Sequence, residues 1–506
     1  MNHLLAGYDR RSRYVIAVFF VLFLFLVIAG IAGSSDYFKL FPLFLLLGFA
    51  LFIIIKRPQT LLFFFIVLLP FQYFIMMVLF GVGHVPSRWI TIISAWKEVF
   101  ILLVFISLFV QLLLERKIHF RWSYVDTAMA VLAVYALIHF FLPDSFFGVK
   151  SNINLRLYGF KSEFFFIFLY FAGRLCPFNQ RQVRHIYFFL IGIGVITALL
   201  GIFEVSFLDE RAFLKLGYVD YTENHMGIKY KGAYGLAENF WADVGGLRVR
   251  RAVSVYMSSQ PFAQSYLLII PFSIALLFDN KFKRKYLLSL GLLIMLVALI
   301  MTITRVAIIM CFFQILLMAA MLKKYKLTRI LAVYTILIIL FALLTPNIST
   351  FFERTISFTG TSEKGHLDAW TKSLRFIKKY PFFGVGMGMG GETSRRFEGL
   401  EAGLESEILV YAAEVGIVGL VLYLSIFLGV LRIGFKSFQA IKDEWSKKLV
   451  ISILACGTGI LIVSCISHTR GAIFVYYVYW WLAGYLVKVC SETIQPQKSD
   501  NLIASK

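Results

Sequence analysis

The chain of 506 residues is 60% hydrophobic and only 15% charged, with 54 Phe and a mean hydropathy of +0.80. Soluble domains carry about 25% charged residues, so this composition excludes a soluble enzyme, a fibrous protein and a disordered chain. Many apolar runs reach the roughly 20 residues that cross a bilayer as a helix, and such solid blocks exclude an outer-membrane barrel, whose strands alternate in polarity. The predicted fold is therefore all-α, a polytopic integral membrane protein.

The apolar runs predict fourteen spans in chain order, and because some are short or nearly continuous, the predicted number of transmembrane helices is 12–14. The first run follows three arginines, but it is longer than the apolar core of a cleaved signal peptide, so we interpret it as a retained helix. The spans cover residues 14–32, 38–55, 60–80, 90–114, 123–142, 162–174, 186–207, 262–278, 286–303, 306–322, 329–345, 405–431, 449–467 and 470–488.

The distribution of charge predicts the orientation. Lys and Arg total 50 against 28 Asp and Glu, which gives a net charge of +22. With the N-terminus inside, the short inside loops carry compact basic clusters, as cytoplasmic loops do. Both termini are therefore predicted to be cytoplasmic, and the excess positive charge does not indicate a nucleic-acid partner. The clusters are Lys56 and Arg57; Arg116, Lys117 and Arg121; Arg174, Arg181 and Arg184; Lys281, Lys283, Arg284 and Lys285; Lys323, Lys324, Lys326 and Arg329; and the basic residues from Arg432 to Lys448.

Two long segments fall on the external side, at about 208–261 and 346–404. We predict a single transmembrane domain over residues 1–506 with these segments as insertions. Their charged residues fit either solvated loops of mixed charge or a binding site. Two large external segments on a bundle with otherwise short loops favour a site on that face.

Arginines mark two candidate anion sites. Arg248, Arg250 and Arg251 lie just before the chain re-enters the membrane. Guanidinium groups there either bind phosphate oxygens in bidentate fashion or extend to lipid headgroups. Arg305, in the sequence Thr-Ile-Thr-Arg, interrupts a long apolar stretch. A cation in such a stretch usually marks a site or pathway, although a tight external hairpin would leave it in water.

Lys97 and Glu98 lie inside another predicted span. Adjacent helical residues point about 100° apart, so we do not expect these two to neutralise each other. We interpret them as members of a structural ion pair with another helix.

The second external segment contains three further features. An amphipathic helix is predicted at about 366–380, with basic flanks that include Arg375. A glycine-rich run from Gly384 to Gly391 formally contains G-x-G-x-x-G, but it follows no strand, so a flexible turn or an approach to phosphate fits better than a dinucleotide site. Glu405 and Glu407 open a long helix, where carboxylates complement the helix dipole or act as a general base.

Taken in order, these features resemble the O-antigen ligase and O-antigen polymerase family of bacterial membrane glycosyltransferases over roughly residues 245–488. The features are an arginine before Ser-x-aromatic (Arg251–Tyr256), a Thr-x-Thr-Arg turn (Thr302–Arg305) and a Trp-bearing amphipathic segment (Trp370). They are followed by a Pro-Phe-Phe-Gly-Val-Gly run (Pro381–Gly386) and a Gly-x-x-Gly helix start (Gly416 and Gly419). Ligases typically carry a histidine, then Asn, Ser or Gln, then nine residues and Gly-x-x-Gly. Here Ser406 fits but Glu405 stands at the histidine position, which favours a polymerase.

The resemblance implies polymerisation of undecaprenyl-pyrophosphate-linked oligosaccharide repeat units into O-antigen, capsule or exopolysaccharide, on the external face of the bacterial plasma (inner) membrane. Arginines can stabilise a pyrophosphate leaving group without a metal, so we expect a metal-independent glycosyltransferase with no cofactor. The implied site residues are Arg251 and Arg305 on the pyrophosphate, Glu405 as the base, and Arg248, Arg250, Arg375 and Glu407 in substrate binding, with Glu407 also a second candidate base.

Two other functions fit the same features. One is ligase-like transfer of polysaccharide to lipid A-core or to protein. The other is a flippase, a transporter of lipid-linked oligosaccharide, although a flippase would have charged residues along a central cavity and shorter external loops. The expected partners are the lipid-linked oligosaccharide and membrane lipids, with a chain-length regulator as a further candidate and no nucleic acid.

Overall fold

The computed structural model describes residue 48 and residues 57–113, 120–147, 153–176, 178–244, 247–324, 361–390 and 404–494. The protein is an all-α multi-pass membrane protein, as predicted. In the described residues, eight helical segments are long and apolar enough to cross a bilayer, and three shorter apolar helices accompany them. The predicted spans 14–32 and 329–345 lie outside the described residues, and so does 38–55 apart from residue 48. Each of the other predicted spans coincides with one of these helical segments.

The helices, in chain order, are α1 Thr60–Leu68, α2 Gln72–Gly81, α3 Ser87–Ser94, α4 Trp96–Leu113, α5 Tyr124–Phe141, α6 Ile153–Phe164, α7 Phe166–Leu175, α8 Gln180–Phe207, α9 Arg211–Lys215, α10 Tyr218–Asp220, α11 Ser259–Leu277, α12 Lys285–Met301, α13 Arg305–Met321, α14 Thr361–Lys379, α15 Glu407–Ser437, α16 Glu444–Ser464 and α17 Ile473–Ile494. An antiparallel hairpin precedes α11, with strands β1 Trp241–Val244 and β2 Leu247–Arg250.

The closest helix packing joins α7 and α17 in the core. Gly173 on α7 and Gly484 on α17 each face the backbone of the other helix, where a Cβ would collide. Small residues at such points let two helices approach closely inside a membrane. The aromatic rings of Phe166 and Trp480 then pack with their centroids 4.4 Å apart. Helix α17 also packs against α11, α15 and α16, whereas α8, α12 and α13 pack on α11.

Charged side chains inside the bundle are paired. Arg174 Nη2 lies 3.1 Å from Asp126 Oδ2, and both side chains are buried. Glu98 Oε1 lies 2.6 Å from Lys161 Nζ, a partner on another helix. The expectation that Lys97 and Glu98 do not neutralise each other is wrong, because the flexible lysine brings its Nζ within 3.2 Å of Glu98 Oε1.

Between α8 and α11 the chain folds into a small cap, which the sequence analysis treated only as an external segment. The cap contains α9, α10 and the β-hairpin around an aromatic cluster. The ring of Phe240 packs edge-on against Phe213 and Tyr218, with centroids 5.2 and 5.3 Å away. The hairpin is therefore held on a hydrophobic base of its own.

The segment after α14, residues 381–390, is a packed wedge, and its glycine-rich part is not the flexible turn that the sequence favoured. Gly384 has a φ of +70°, and a Cβ on it would lie 2.5 Å from the carbonyl oxygen of Ala413 on α15. Helix α15 is itself broken at Gly416, where φ is +77°. The N–H of Ile417 donates instead to the carbonyl oxygen of Pro381 over 2.8 Å. The wedge thus fills the kink in α15 and satisfies a backbone group that the kink releases.

Candidate functional site

The predicted site residues gather at one end of the helix bundle, which we call the site end. It contains the C-terminal ends of α8, α12 and α16 and the N-terminal ends of α11, α13, α15 and α17. The cap lies at the same end because it connects α8 to α11. Arg251, Arg305, Glu405 and Glu407 all belong to turns or first helical residues at this end.

Arg251 is anchored against the turn between α12 and α13. Its Nε donates to the carbonyl oxygen of Thr302 over 2.7 Å, and its Nη2 donates to Thr304 Oγ1 over 2.8 Å. Arg305 is the first residue of α13, directly after this turn. Burial and the nearby charge of Arg305 lower the pKa of Arg251 to about 10, so Arg251 remains charged at neutral pH. The structure thus brings the two arginines together in a positive centre whose repulsion a bound anion would relieve.

The other two arginines of the same segment have partners of their own. Arg250 Nη2 lies 3.0 Å from Oε1 of the buried Glu204 on α8. Glu204 Oε2 also accepts hydrogen bonds from two backbone N–H groups after the hairpin, at 3.1 and 2.8 Å. Arg250 therefore ties the hairpin to the bundle, and a carboxylate already neutralises its charge. Arg248 lies over the ring of Trp241, with its guanidinium carbon 4.3 Å from the centroid.

A buried charge cluster holds the start of α15 in place. Arg470, in the turn between α16 and α17, is ion-paired with both Glu163 of α6 and Glu407 of α15, and these three side chains are at most 3% exposed. Glu407 Oε2 also accepts hydrogen bonds from the N–H groups of Thr469 and Arg470, at 3.2 and 3.1 Å. Glu407 is thus a carboxylate engaged on several sides, and this setting favours a structural role over the predicted roles in substrate binding and as second base.

Glu405 has a different setting, although it precedes Glu407 by only two residues. It is paired with His366 Nδ1 from α14, and the two side chains are 36% and 30% exposed. A carboxylate that is open to solvent and touches an imidazole can accept a proton from an incoming hydroxyl group. Arg375 lies about two and a half turns further along α14, on its exposed surface.

Helix α11, which begins shortly after Arg251, is hydrogen-bonded to the turn between α16 and α17. Gln260 Nε2 donates to Ser467 Oγ, and Gln264 Nε2 donates to the carbonyl oxygen of His468 over 3.2 Å. Both acceptors belong to the turn between α16 and α17, which also carries Arg470. These bonds fix the start of α11 against the turn that holds Glu407, at the same end of the bundle as the two arginines.

Three residues around the start of α15 were not predicted from the sequence. Arg470 follows a threonine between two spans, and the same Thr-Arg pair had drawn attention to Arg305. Glu163 lies at the start of the predicted span 162–174, where a charged residue is costly and indicates a site or partner. His468 Nδ1 lies 3.4 Å from Glu407 Oε2, a contact that sequence spacing could not indicate. Among the described residues, no group of three or more His, Cys, Asp or Glu could hold a metal ion.

Residues 290–424 match the family model described as O-antigen ligase. The match covers Arg305, α14, the glycine wedge and the start of α15, whereas Arg251 and Arg470 lie outside it. It confirms the resemblance that the motifs indicated, and the family consists of glycosyltransferase-like enzymes. No curated protein matches the chain.

Proposed function

Because residues 290–424 form an O-antigen ligase family domain, we propose that the protein polymerises oligosaccharide repeat units carried on undecaprenyl pyrophosphate into a surface polysaccharide. The observation that carries this proposal is the pair of Arg251 and Arg305 at the same end of the bundle as a solvent-open carboxylate. The arginines suit an anionic leaving group, and the carboxylate suits an acceptor hydroxyl that has to lose its proton.

In the proposed reaction, a hydroxyl group of the acceptor saccharide attacks the anomeric carbon of the donor. The bond between that carbon and the pyrophosphate breaks, a glycosidic bond forms, and the proton of the hydroxyl passes to Glu405. Arg251 and Arg305 stabilise the negative charge that develops on the pyrophosphate, because fixed cations in a partly dehydrated site stabilise such charge strongly. In this mechanism the arginines supply the positive charge that a metal ion would otherwise provide.

The settings of the two carboxylates support Glu405 as the base. Glu407 is fully buried, and its oxygens are taken up by Arg470 and by backbone N–H groups, so no acceptor hydroxyl can reach them without breaking the cluster. The side chain of Glu405 is more than a third exposed, and its ion-pair partner, His366, is itself only partly buried. A general base must come within hydrogen-bonding distance of the proton that it abstracts.

The distribution of basic residues supports an external site. Basic residues lie at the ends of helices that are opposite to the site end. Helix α8 has Glu204 near its site end and Arg181 and Arg184 near its other end. Helix α13 has Arg305 at its site end, and Lys323 follows its other end. Short cytoplasmic loops collect such residues. This distribution supports the proposal that the site end faces outward from the bacterial plasma membrane and that both termini are cytoplasmic.

A ligase is the second candidate, and two observations favour it. The matching family model is described as O-antigen ligase. His366 also lies against Glu405, which brings an imidazole close to the position where ligases typically carry their histidine. The protein would then transfer a finished polysaccharide to lipid A-core or to protein, with the same arginines on the leaving pyrophosphate.

The experiment that tests these proposals uses the purified full-length chain in lipid vesicles with one defined undecaprenyl-pyrophosphate repeat unit. Without any other acceptor, a ladder of products spaced by one repeat supports polymerisation. A single transfer that appears only after lipid A-core is added supports the ligase instead. A donor that binds to the protein but yields neither product refutes glycosyl transfer and would redirect attention to lipid-linked oligosaccharide transport.

A further inference from the structure

The cap contains a cleft that the proposed chemistry does not use. It has a volume of about 460 Å³ and lies between the β-hairpin and the turns that precede it. Its charged and aromatic lining consists of Lys231, Glu238, Trp241, Asp243 and Arg248. The cleft therefore offers two cations, two carboxylates and one indole ring in a small space.

The hairpin register explains why these groups meet. Trp241 is opposite Arg250 and Asp243 is opposite Arg248 in the antiparallel pair, and side chains directly opposite each other share one face of the sheet. The indole is fixed in place, because Trp241 Nε1 donates to Glu210 Oε1 over 2.8 Å. Arg248 lies against this ring at 4.3 Å. The face is thus an ordered platform with charged groups along it.

The carboxylate on the other side of the cleft is also held. Glu238 Oε1 accepts a hydrogen bond from the backbone N–H of Lys231 over 2.8 Å, which closes the turn across from the hairpin. The cleft therefore contains charged donors as well as charged acceptors, with Asp243 opposite Arg248 on the hairpin. Their formal charges balance, since two basic residues face two acidic ones.

We propose that this cleft binds the saccharide part of the lipid-linked repeat unit and selects which repeat the protein accepts; this inference rests on the proposed function. A sugar hydroxyl both donates and accepts hydrogen bonds, so it matches a lining that holds both carboxylates and cations. The apolar C–H face of a sugar ring suits the part of the indole that lines the cleft beside Arg248, because its burial removes apolar surface from water. A phosphate or nucleic acid would instead require an excess of positive charge.

The position of the cleft relative to the arginine centre fits one substrate that spans both. Arg248 and Arg251 are three residues apart at the end of β2, a distance of about 10 Å along an extended chain. The sugars of a repeat unit whose pyrophosphate lies at Arg251 and Arg305 are therefore within reach of the hairpin. The cleft is then a specificity subsite that touches sugar residues away from the bond that breaks.

The test measures binding of the free oligosaccharide without its lipid. The probe is the repeat unit released by mild acid from the host's own lipid-linked donor, titrated by calorimetry into the full-length protein in lipid. We expect Asp243→Asn and Arg248→Gln each to weaken binding at least tenfold and to raise the KM for the lipid-linked donor with little change in kcat. Lys215→Gln, an exposed substitution elsewhere in the cap, should leave both values unchanged.

The two proposals fail in different ways. If the free repeat unit does not bind to the wild-type protein, or binds equally well to both cleft variants, the cleft proposal is overturned even when the ladder of products forms. If binding depends on Asp243 and Arg248 but no transfer product forms, the cleft stands as a saccharide site and the proposed function is wrong. A variant that loses kcat with an unchanged KM also contradicts the specificity role.

Discussion

Replacing Arg470 by methionine removes the single guanidinium that holds two buried carboxylates. Glu163 and Glu407 are both ion-paired with it and are at most 2% exposed, so neither can turn to water without moving its helix. Removing one partner of a buried ion pair costs about 3–5 kcal/mol, because the remaining charge stays desolvated. The methionine fills much of the space, and therefore the loss reflects charge and hydrogen bonding more than a cavity.

The expected loss is large enough to measure directly. A change of about 4 kcal/mol shifts the equilibrium between folded and unfolded protein roughly a thousandfold. We expect Arg470→Met to lower the free energy of unfolding by that amount in reversible denaturation from mixed micelles. Arg284→Met is the matched control, since Arg284 is exposed at the start of α12, and exposed substitutions usually change stability by less than about 0.5 kcal/mol.

A third variant separates charge from shape. The triple substitution Arg470→Met, Glu163→Gln and Glu407→Gln removes the three charges of these two ion pairs, so none of them stays buried without its partner. Glu414, which also lies near Arg470, keeps the hydrogen bond from the N–H of Gly390. The triple variant should therefore regain most of the stability lost in Arg470→Met. If Arg470→Met is as stable as Arg284→Met, the cluster does not hold the start of α15, and the reasoning is refuted.

Three further predictions concern the kink, the arginine centre and the base. Gly416→Ala places a Cβ on a residue with a φ of +77°, which should lower the free energy of unfolding by about 1–3 kcal/mol before any clash with the wedge. The control Gly192→Ala has open space around it and should raise the free energy of unfolding by up to about 1 kcal/mol in the same assay. Equal effects of the two substitutions would contradict the wedge. Arg305→Lys should lower product formation at least tenfold despite its conserved charge, because lysine lacks the bidentate fork; near-normal turnover of the lipid-linked donor would remove Arg305 from the site. Glu405→Gln should lower kcat about a hundredfold or more with unchanged thermal stability. Glu407→Gln should instead lower thermal stability. The reverse pattern would make Glu407 the base and Glu405 the structural residue.

The helical spans could be predicted because each depends on a local run of apolar residues. The resemblance implied that Arg251 and Arg305 act on one pyrophosphate, but the hydrogen bonds of Arg251 to the turn before Arg305 were not predicted. The contact between Arg470 and Glu163 could not be read in this way, because the two residues lie far apart in the chain and meet only after α6 and α17 pack. The wedge was interpreted wrongly for a related reason: glycines that permit flexibility also permit close backbone approach, and only the position of α15 decides between them.

The kink at Gly416 has a mechanical consequence for the amphipathic helix α14. Helix α14 leads directly into the wedge, and the wedge is hydrogen-bonded into the break in α15. His366 near the start of α14 and Glu405 before α15 are joined a second time by their ion pair. Helix α14 is therefore coupled to α15 at two points. A change in lipid packing or headgroup charge that shifts α14 would also move Glu405. We therefore expect the turnover rate to depend on the composition of the surrounding bilayer.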